Sequence, residues 1–174
     1  MGLRRVYYES TIYHVMVRSN NKEKVMIKEN DKKILLEKIA KYKDRFGFKL
    51  YGFVIMDNHF HMVIEVNMPH TISTIMQALL LSYSSIYRHK YEYEGYVWQG
   101  RFKSWVIQKE QFLTDCLDYI HSAPVKNGIA QSPSQYKWSS AFYYQGIDDP
   151  QISDIIKMDH FNKAHTLSVM DLSG

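Results

Sequence analysis

Apolar and polar residues alternate through STIYHVMVRS, residues 10–19, placing Ile12, His14 and Met16 on one face and Tyr13, Val15 and Val17 on the other. That two-residue period predicts a strand, and the SNNK that follows predicts a turn. From Glu29 to Phe46 the spacing changes to three and four, with Leu35, Ile39, Tyr42 and Phe46 on one stripe and Gly47 at the expected C-cap, which predicts an amphipathic helix. KLYGFVIMD and HFHMVIEV are two strand-like runs that meet at Asp57 and Asn58, residues suited to a tight hairpin turn. A long helix is expected from Thr71 to about Glu92, turning Ile72, Ile75, Leu79, Tyr83 and Ile86 inward and ending before Gly95. YVWQGRFKSWVI predicts a further strand or hairpin bent at Gly100. A third helix is then expected from Lys109 to about Ala123, with Phe112, Cys116 and Ile120 inward and Pro124 closing it. The order strand, helix, strand, strand, helix, strand, helix predicts an α+β fold, a ferredoxin-like antiparallel sheet flanked by helices. A short helical stretch near Trp138 to Tyr144 completes a domain expected to span residues 1–146. Residues 147–174 lose clear pattern and are expected to form a C-terminal tail that could pack on the same domain.

Composition narrows the classes. A chain of 174 residues is one domain of ordinary size, and no apolar run approaches the roughly 20 residues of a membrane helix, so no membrane partner is expected. MGLRRVYYES carries basic residues without a following apolar stretch, which predicts a cytoplasmic rather than secreted protein. Cys116 is the sole cysteine, which excludes an intrachain disulfide and a multi-cysteine metal knuckle. A formal net charge of +4 is compatible with a polyanionic partner, and 14 Tyr, 8 Phe and 3 Trp supply flat faces for unpaired bases.

The chemistry concentrates in MDNHFHMVIEV, residues 56–66. Side chains two apart on a strand share a face at about 7 Å, so His59 and His61 project together while Phe60 and Met62 face the other way. Two neutral imidazoles form a partial shell for a divalent metal, suited equally to zinc, and a third donor must come from another element. Glu65 shares their face, but four strand residues span about 13 Å, so it is expected to be a solvated charge.

MDNHFHMVIE resembles the histidine–hydrophobe–histidine (HUH) strand of the single-tyrosine transposases of bacterial insertion sequences, in particular the REP-associated tyrosine transposases. YHVMVRSNN (13–21), WQGRFKS (98–104), YIHSAPVKNGI (119–129) and KWSSAFYYQG (137–146) fit the same family in order. The resemblance implies a metal-dependent transposase, an endonuclease that cuts and rejoins single-stranded, hairpin-bearing DNA through a 5′-phosphotyrosine. It implies Tyr119 as nucleophile, His59 and His61 as ligands of Mg²⁺ or Mn²⁺, and Arg101 as a DNA contact. Such chemistry answers a physical need, because a phenol with a pKa of about 10 is a poor nucleophile without a cation beside the phosphate. A phosphotyrosine also conserves the diester's free energy, in keeping with the lack of a P-loop motif.

One position departs from the pattern. Similar members carry Asn four residues after the tyrosine, where Ala123 stands here and offers no side-chain donor. Water is the expected replacement; Ser122, Asp115 or His121 would need the helix to rotate, and His121 lies roughly 200° around it from Tyr119. The change also suggests an alternative function, a domesticated hairpin-binding module with weak or no catalysis. A metal-dependent hydrolase without covalent chemistry ranks behind both.

Other contacts are read more coarsely. Arg101 and Lys103 alternate with Phe102 and Trp105, a mixture of phosphate-pairing and stacking groups expected to contact DNA. Arg4 and Arg5 could form a basic arm, whereas Lys32, Lys33, Lys38, Lys41 and Lys43 are expected on the solvated face of the first helix. Arg88 and Lys90 suit either role. Tyr13, Tyr51 and Tyr136 are expected to pack, and His14, His70, His89, His160 and His165 to lie on the surface or in ordinary hydrogen bonds. A shared surface or a swapped tyrosine helix would make a homodimer.

Overall fold

The structure is a computed structural model that describes residues 10–161. Arg4, Arg5 and His165 lie outside the described residues, as does the end of the tail. Four strands, β1 (Ser10–Arg18), β2 (Lys49–Ile55), β3 (His59–Asn67) and β4 (Lys103–Val106), form one antiparallel sheet in the order β2-β3-β1-β4. The long helices are α1 (Glu29–Phe46), α2 (Ile72–Tyr91) and α3 (Glu110–Lys126), and two single-turn helices, α4 (Ala141–Tyr144) and α5 (Pro150–Ser153), follow. This is the expected α+β antiparallel sheet with flanking helices. None of the described helices is long and apolar enough to cross a membrane.

Strand alternation divides the core in two. Phe60, Met62 and Ile64 turn towards one face and pack with Leu35, Ile39, Leu79 and Tyr83 of α1 and α2. Val54 and Val63 turn to the other and pack with Leu113, Leu117 and Ile120 of α3. The ends of α1 and α2 follow local signals: Gly47 takes a left-handed φ of 67° and closes α1, while the Thr71 side chain accepts a hydrogen bond from Thr74 N–H and opens α2.

The third helix differs from its expected stripe. Its buried positions are Leu113, Leu117, Ile120, His121 and Pro124, whereas Phe112 is 53% exposed. Two adjacent stripes share Ile120, and the sheet selects between them. A bulge between Leu50 and Gly52 turns both Tyr51 and Gly52 towards α3, and a Cβ at Gly52 would lie 2.4 Å from Leu117 Cδ2. The missing side chain is the hollow that receives Leu117. Pro124 does not close the helix, which continues to Lys126 with the proline ring buried.

Two charges expected in solvent are buried. Lys32 is 4% exposed, pairs with Asp57 Oδ1 at 2.8 Å and donates to the Met26 carbonyl. Together with Met26 N–H donating to the Asp57 carbonyl and Ser19 N–H to that of Asn58, each at 2.9 Å, it pins the turn just before His59. Glu65, 3% exposed, accepts a hydrogen bond from the Tyr51 hydroxyl and faces Lys49 at 3.6 Å. Desolvation is offset by these partners.

Residues after α3 return to the sheet. Trp138 and Ser140 exchange backbone hydrogen bonds with Ile55 and Phe53, and Ile152 and Ile156 enter the core beneath α1 and α2. Asp159 clips the far end, its carboxylate accepting from Leu50 N–H and pairing with Lys43 at 3.0 Å.

His121 joins α3 to this segment through a 2.8 Å hydrogen bond between its Nε2 and Ser140 Oγ, and burial lowers its pKa from 6.5 to about 4. An unfolded chain binds the proton near 6.5 and the folded chain only near 4, so this contribution to stability is complete above pH 7. It falls as pH drops through that window and changes no further below it. Between pH 7 and pH 5 the expected loss is about 2 kcal/mol. Urea unfolding at both values should show it, and His121→Gln should flatten the pH dependence by a comparable amount.

Candidate active site

The central strands β3 and β1 supply the site. His59 and His61 share the α3 face of β3, with ring centroids 5.4 Å apart. Their Nδ1 atoms are already engaged: that of His59 lies 2.7 Å from Asn58 Oδ1, and that of His61 shares a 2.9 Å hydrogen bond with Nε2 of His14. Among the described residues neither Nε2 has a hydrogen-bond partner, so both second nitrogens remain for a ligand. Burial lowers the pKa of all three histidines, that of His61 to about 3, with the neighbouring His14, His59 and Arg18 charges adding to the effect on His61. The rings are therefore neutral near pH 7, the form that binds a metal.

The sheet register explains how His14 arrives. On β1, Met16 pairs with His61 and His14 with Val63, so His14 stands on the same face, diagonal to His61. On its other side β4 places Trp105 opposite His14, and the two rings stack at 5.1 Å. His14 was expected among the ordinary histidines; the tertiary structure puts it at the centre of the site. The sequence signals were its place on the same face as Ile12 and Met16 and its position within YHVMVRSNN.

α3 brings Tyr119 over these rings. Its centroid lies 5.9 Å from His61 and 6.1 Å from His14, both edge-on, and Lys126 Nζ sits 5.5 Å from its ring. Tyr119 is 54% exposed, so the phenol is open to a large substrate. All these groups belong to one chain.

The donor set fits a divalent cation in part. Two neutral imidazoles with oriented Nδ1 atoms are present, but among the described residues no three His, Cys, Asp or Glu side chains converge as a metal site. Ala123 adds no donor. Ser122 Oγ donates to the Tyr119 carbonyl at 2.9 Å, Asp115 accepts from Gln111, and His121 points away to Ser140. Other positions would fall to water or substrate oxygens, which Mg²⁺ and Mn²⁺ accept readily.

The two basic residues expected to contact DNA are not brought together. Lys103 pairs with Met16 and so projects on the histidine face. Arg101 instead lines a cavity of about 450 Å³ with Arg88, Tyr96 and Trp98, against α2. A cation overlooked in the sequence is Arg18, whose strand position faces His59 and whose charge lowers the pKa of both His59 and His61.

The fold is similar to that of a solved protein. A REP-associated tyrosine transposase bound to a REP hairpin superposes with a TM-score of 0.66 at 18% identity, covering 94% of this chain and 99% of that one. A putative transposase from Deinococcus radiodurans gives a TM-score of 0.49 at 17% identity, over 70% of this chain and 97% of the other. No curated protein matches the sequence. The profile of IS200-like transposases matches residues 7–123, more than half of the chain, and this protein belongs to that family.

Proposed function

We propose that this protein is a metal-dependent DNA transposase of the REP-associated branch, which cuts and rejoins single-stranded, hairpin-bearing DNA through Tyr119. The observation that carries this reading is the Tyr119 ring set edge-on against His61 at 5.9 Å, on the face where two imidazoles present an Nε2 that has no hydrogen-bond partner among the described residues. The hairpin bound by the solved REP-associated transposase supports the substrate class.

The Tyr119 phenolic oxygen attacks the scissile phosphorus as its proton leaves. A new P–O bond to tyrosine forms, the bond from phosphorus to the 3′ oxygen breaks, and that oxygen departs as a 3′ hydroxyl after taking a proton. Attack by a 3′ hydroxyl on the phosphotyrosine reverses these events and rejoins a strand. His59 and His61 would hold Mg²⁺ or Mn²⁺, which supplies positive charge to the phosphate and leaving oxygen. Lys103 and Arg101 would bind the DNA backbone, at separate points along the strand. The meeting of the histidines and Tyr119 within one chain supports cleavage in cis, with a homodimer that swaps the tyrosine helix as the alternative.

A fluorescent single-stranded DNA carrying a hairpin, incubated with Mg²⁺ or Mn²⁺, tests the proposal. Cleavage with a protein–DNA adduct that survives denaturation is expected, and Tyr119→Phe should lower it about a thousand-fold or more while binding persists. Binding without any cut or adduct would favour the domesticated binding module, the reading that Ala123 supports. Cleavage that survives Tyr119→Phe would sink the covalent mechanism.

A further inference from the structure

Two imidazoles that share a hydrogen bond have only one proton between them, and its position decides what the other end of each ring can do. His14 Nε2 and His61 Nδ1 are 2.9 Å apart. If the proton is on His61 Nδ1, neutral His61 has a lone pair at Nε2 and can bind a metal there. If it is on His14 Nε2, His61 carries its own proton at Nε2 and cannot.

The neighbouring ligand shows which arrangement matches. Asn58 Oδ1 can only accept, so His59 Nδ1 carries the proton and its Nε2 is the lone pair. His61 presents the same end only when His14 accepts.

We propose that His14 is a positioning residue for the metal ligands, its Nε2 accepting the Nδ1 proton of His61 and so holding His61 Nε2 ready for Mg²⁺ or Mn²⁺. The proposal rests on the metal-binding role assigned above to His59 and His61. His14 is well placed to be rigid. It stands on β1, flanked by β3 and β4, with its ring nearly coplanar with that of His61 through their hydrogen bond, alongside the Trp105 ring at 5.1 Å and with Tyr119 edge-on at 6.1 Å. Partners of this kind, on the second nitrogen of a ligating histidine, typically contribute 10- to 100-fold to metal affinity.

Nitrogen-15 NMR of the metal-free protein reads the His61 tautomer directly, without any variant. The Nδ1–H form is expected; a predominant Nε2–H form would overturn the proposal. Calorimetric titration with Mn²⁺ supplies the second measurement. His14→Phe, which keeps a ring for Trp105 but has no acceptor, should weaken Mn²⁺ binding roughly 10- to 100-fold, and His14→Gln, whose amide oxygen can accept, should recover most of the loss. Unchanged affinity in His14→Phe would overturn the proposal, as would three histidine nitrogens in the Mn²⁺ electron-spin-echo spectrum, which would make His14 a ligand itself. His59→Ala separates the two levels. If it leaves Mn²⁺ affinity intact, the metal-site assignment fails; if it abolishes binding while His14→Phe does not, only the role of His14 fails. Circular dichroism of each variant confirms that the fold is retained.

Discussion

Exchanging His61 for alanine is expected to lower metal-dependent strand cleavage by about a thousand-fold while hairpin affinity stays within a few-fold. His61 is the most enclosed of the three site histidines at 3% exposed, and it alone touches both His14 and Tyr119. Its removal would delete one of two imidazole donors and leave His14 Nε2 without its partner. That orphaned nitrogen should cost about 1–2 kcal/mol of stability, less than the catalytic loss implies. Parallel titrations of cleavage against Mn²⁺, DNA binding in chelator, and urea unfolding would separate the three effects. Cleavage within ten-fold of wild type would remove His61 from the metal site.

Gly52→Val should act on the same chemistry from the opposite side of the helix. A Cβ at Gly52 falls 2.4 Å from Leu117 Cδ2, 3.3 Å from Ile120 Cδ1 and 3.4 Å from Ser140 Oγ. Leu117 can swing its terminal methyl aside for a single Cβ, but the two further methyls of valine also meet Ile120, so α3 must lift. Overpacking of this kind costs about 1–3 kcal/mol. Tyr119 lies between those contact residues in sequence, and moving a reacting group by about 1 Å can reduce rate on the order of a hundred-fold. Cleavage is therefore expected to fall further than stability alone explains, with DNA affinity preserved. Adding Leu117→Ala reopens the hollow and should restore part of the rate; if the double variant is as slow as Gly52→Val, helix displacement is not the cause.

Much of the scaffold was legible locally. Alternation placed His59 and His61 on one face and Phe60 and Met62 on the other, because successive side chains of a strand point in opposite directions whatever they pack against. Asp57 and Asn58 marked the hairpin, and Gly47 and Thr71 marked ends of α1 and α2, each through backbone preferences that need no distant partner. The resemblance to single-tyrosine transposases agrees with the family match and with the fold.

Relations between elements were harder to read. Lys32 looked like one more charge on a solvated helix face until the β2–β3 turn placed Asp57 beside it. The stripes through Phe112 and Leu113 were both plausible, and a side chain absent from β2 chose the second. Glu65 became a buried acceptor because the bulge turns Tyr51 onto its face.

By itself, then, the sequence determined a strand with two histidines on one side, the hairpin that holds it, and a later helix bearing Tyr119. Periodicity and turn chemistry act over a few residues and survive any choice of partner. Only the tertiary structure decided that His14, 47 residues from His61, would share a hydrogen bond with it and that Tyr119 would lie over both. Those meetings depend on strand register and on the seat of α3 at Gly52, which complementary surfaces settle only when the chain has closed around its two cores.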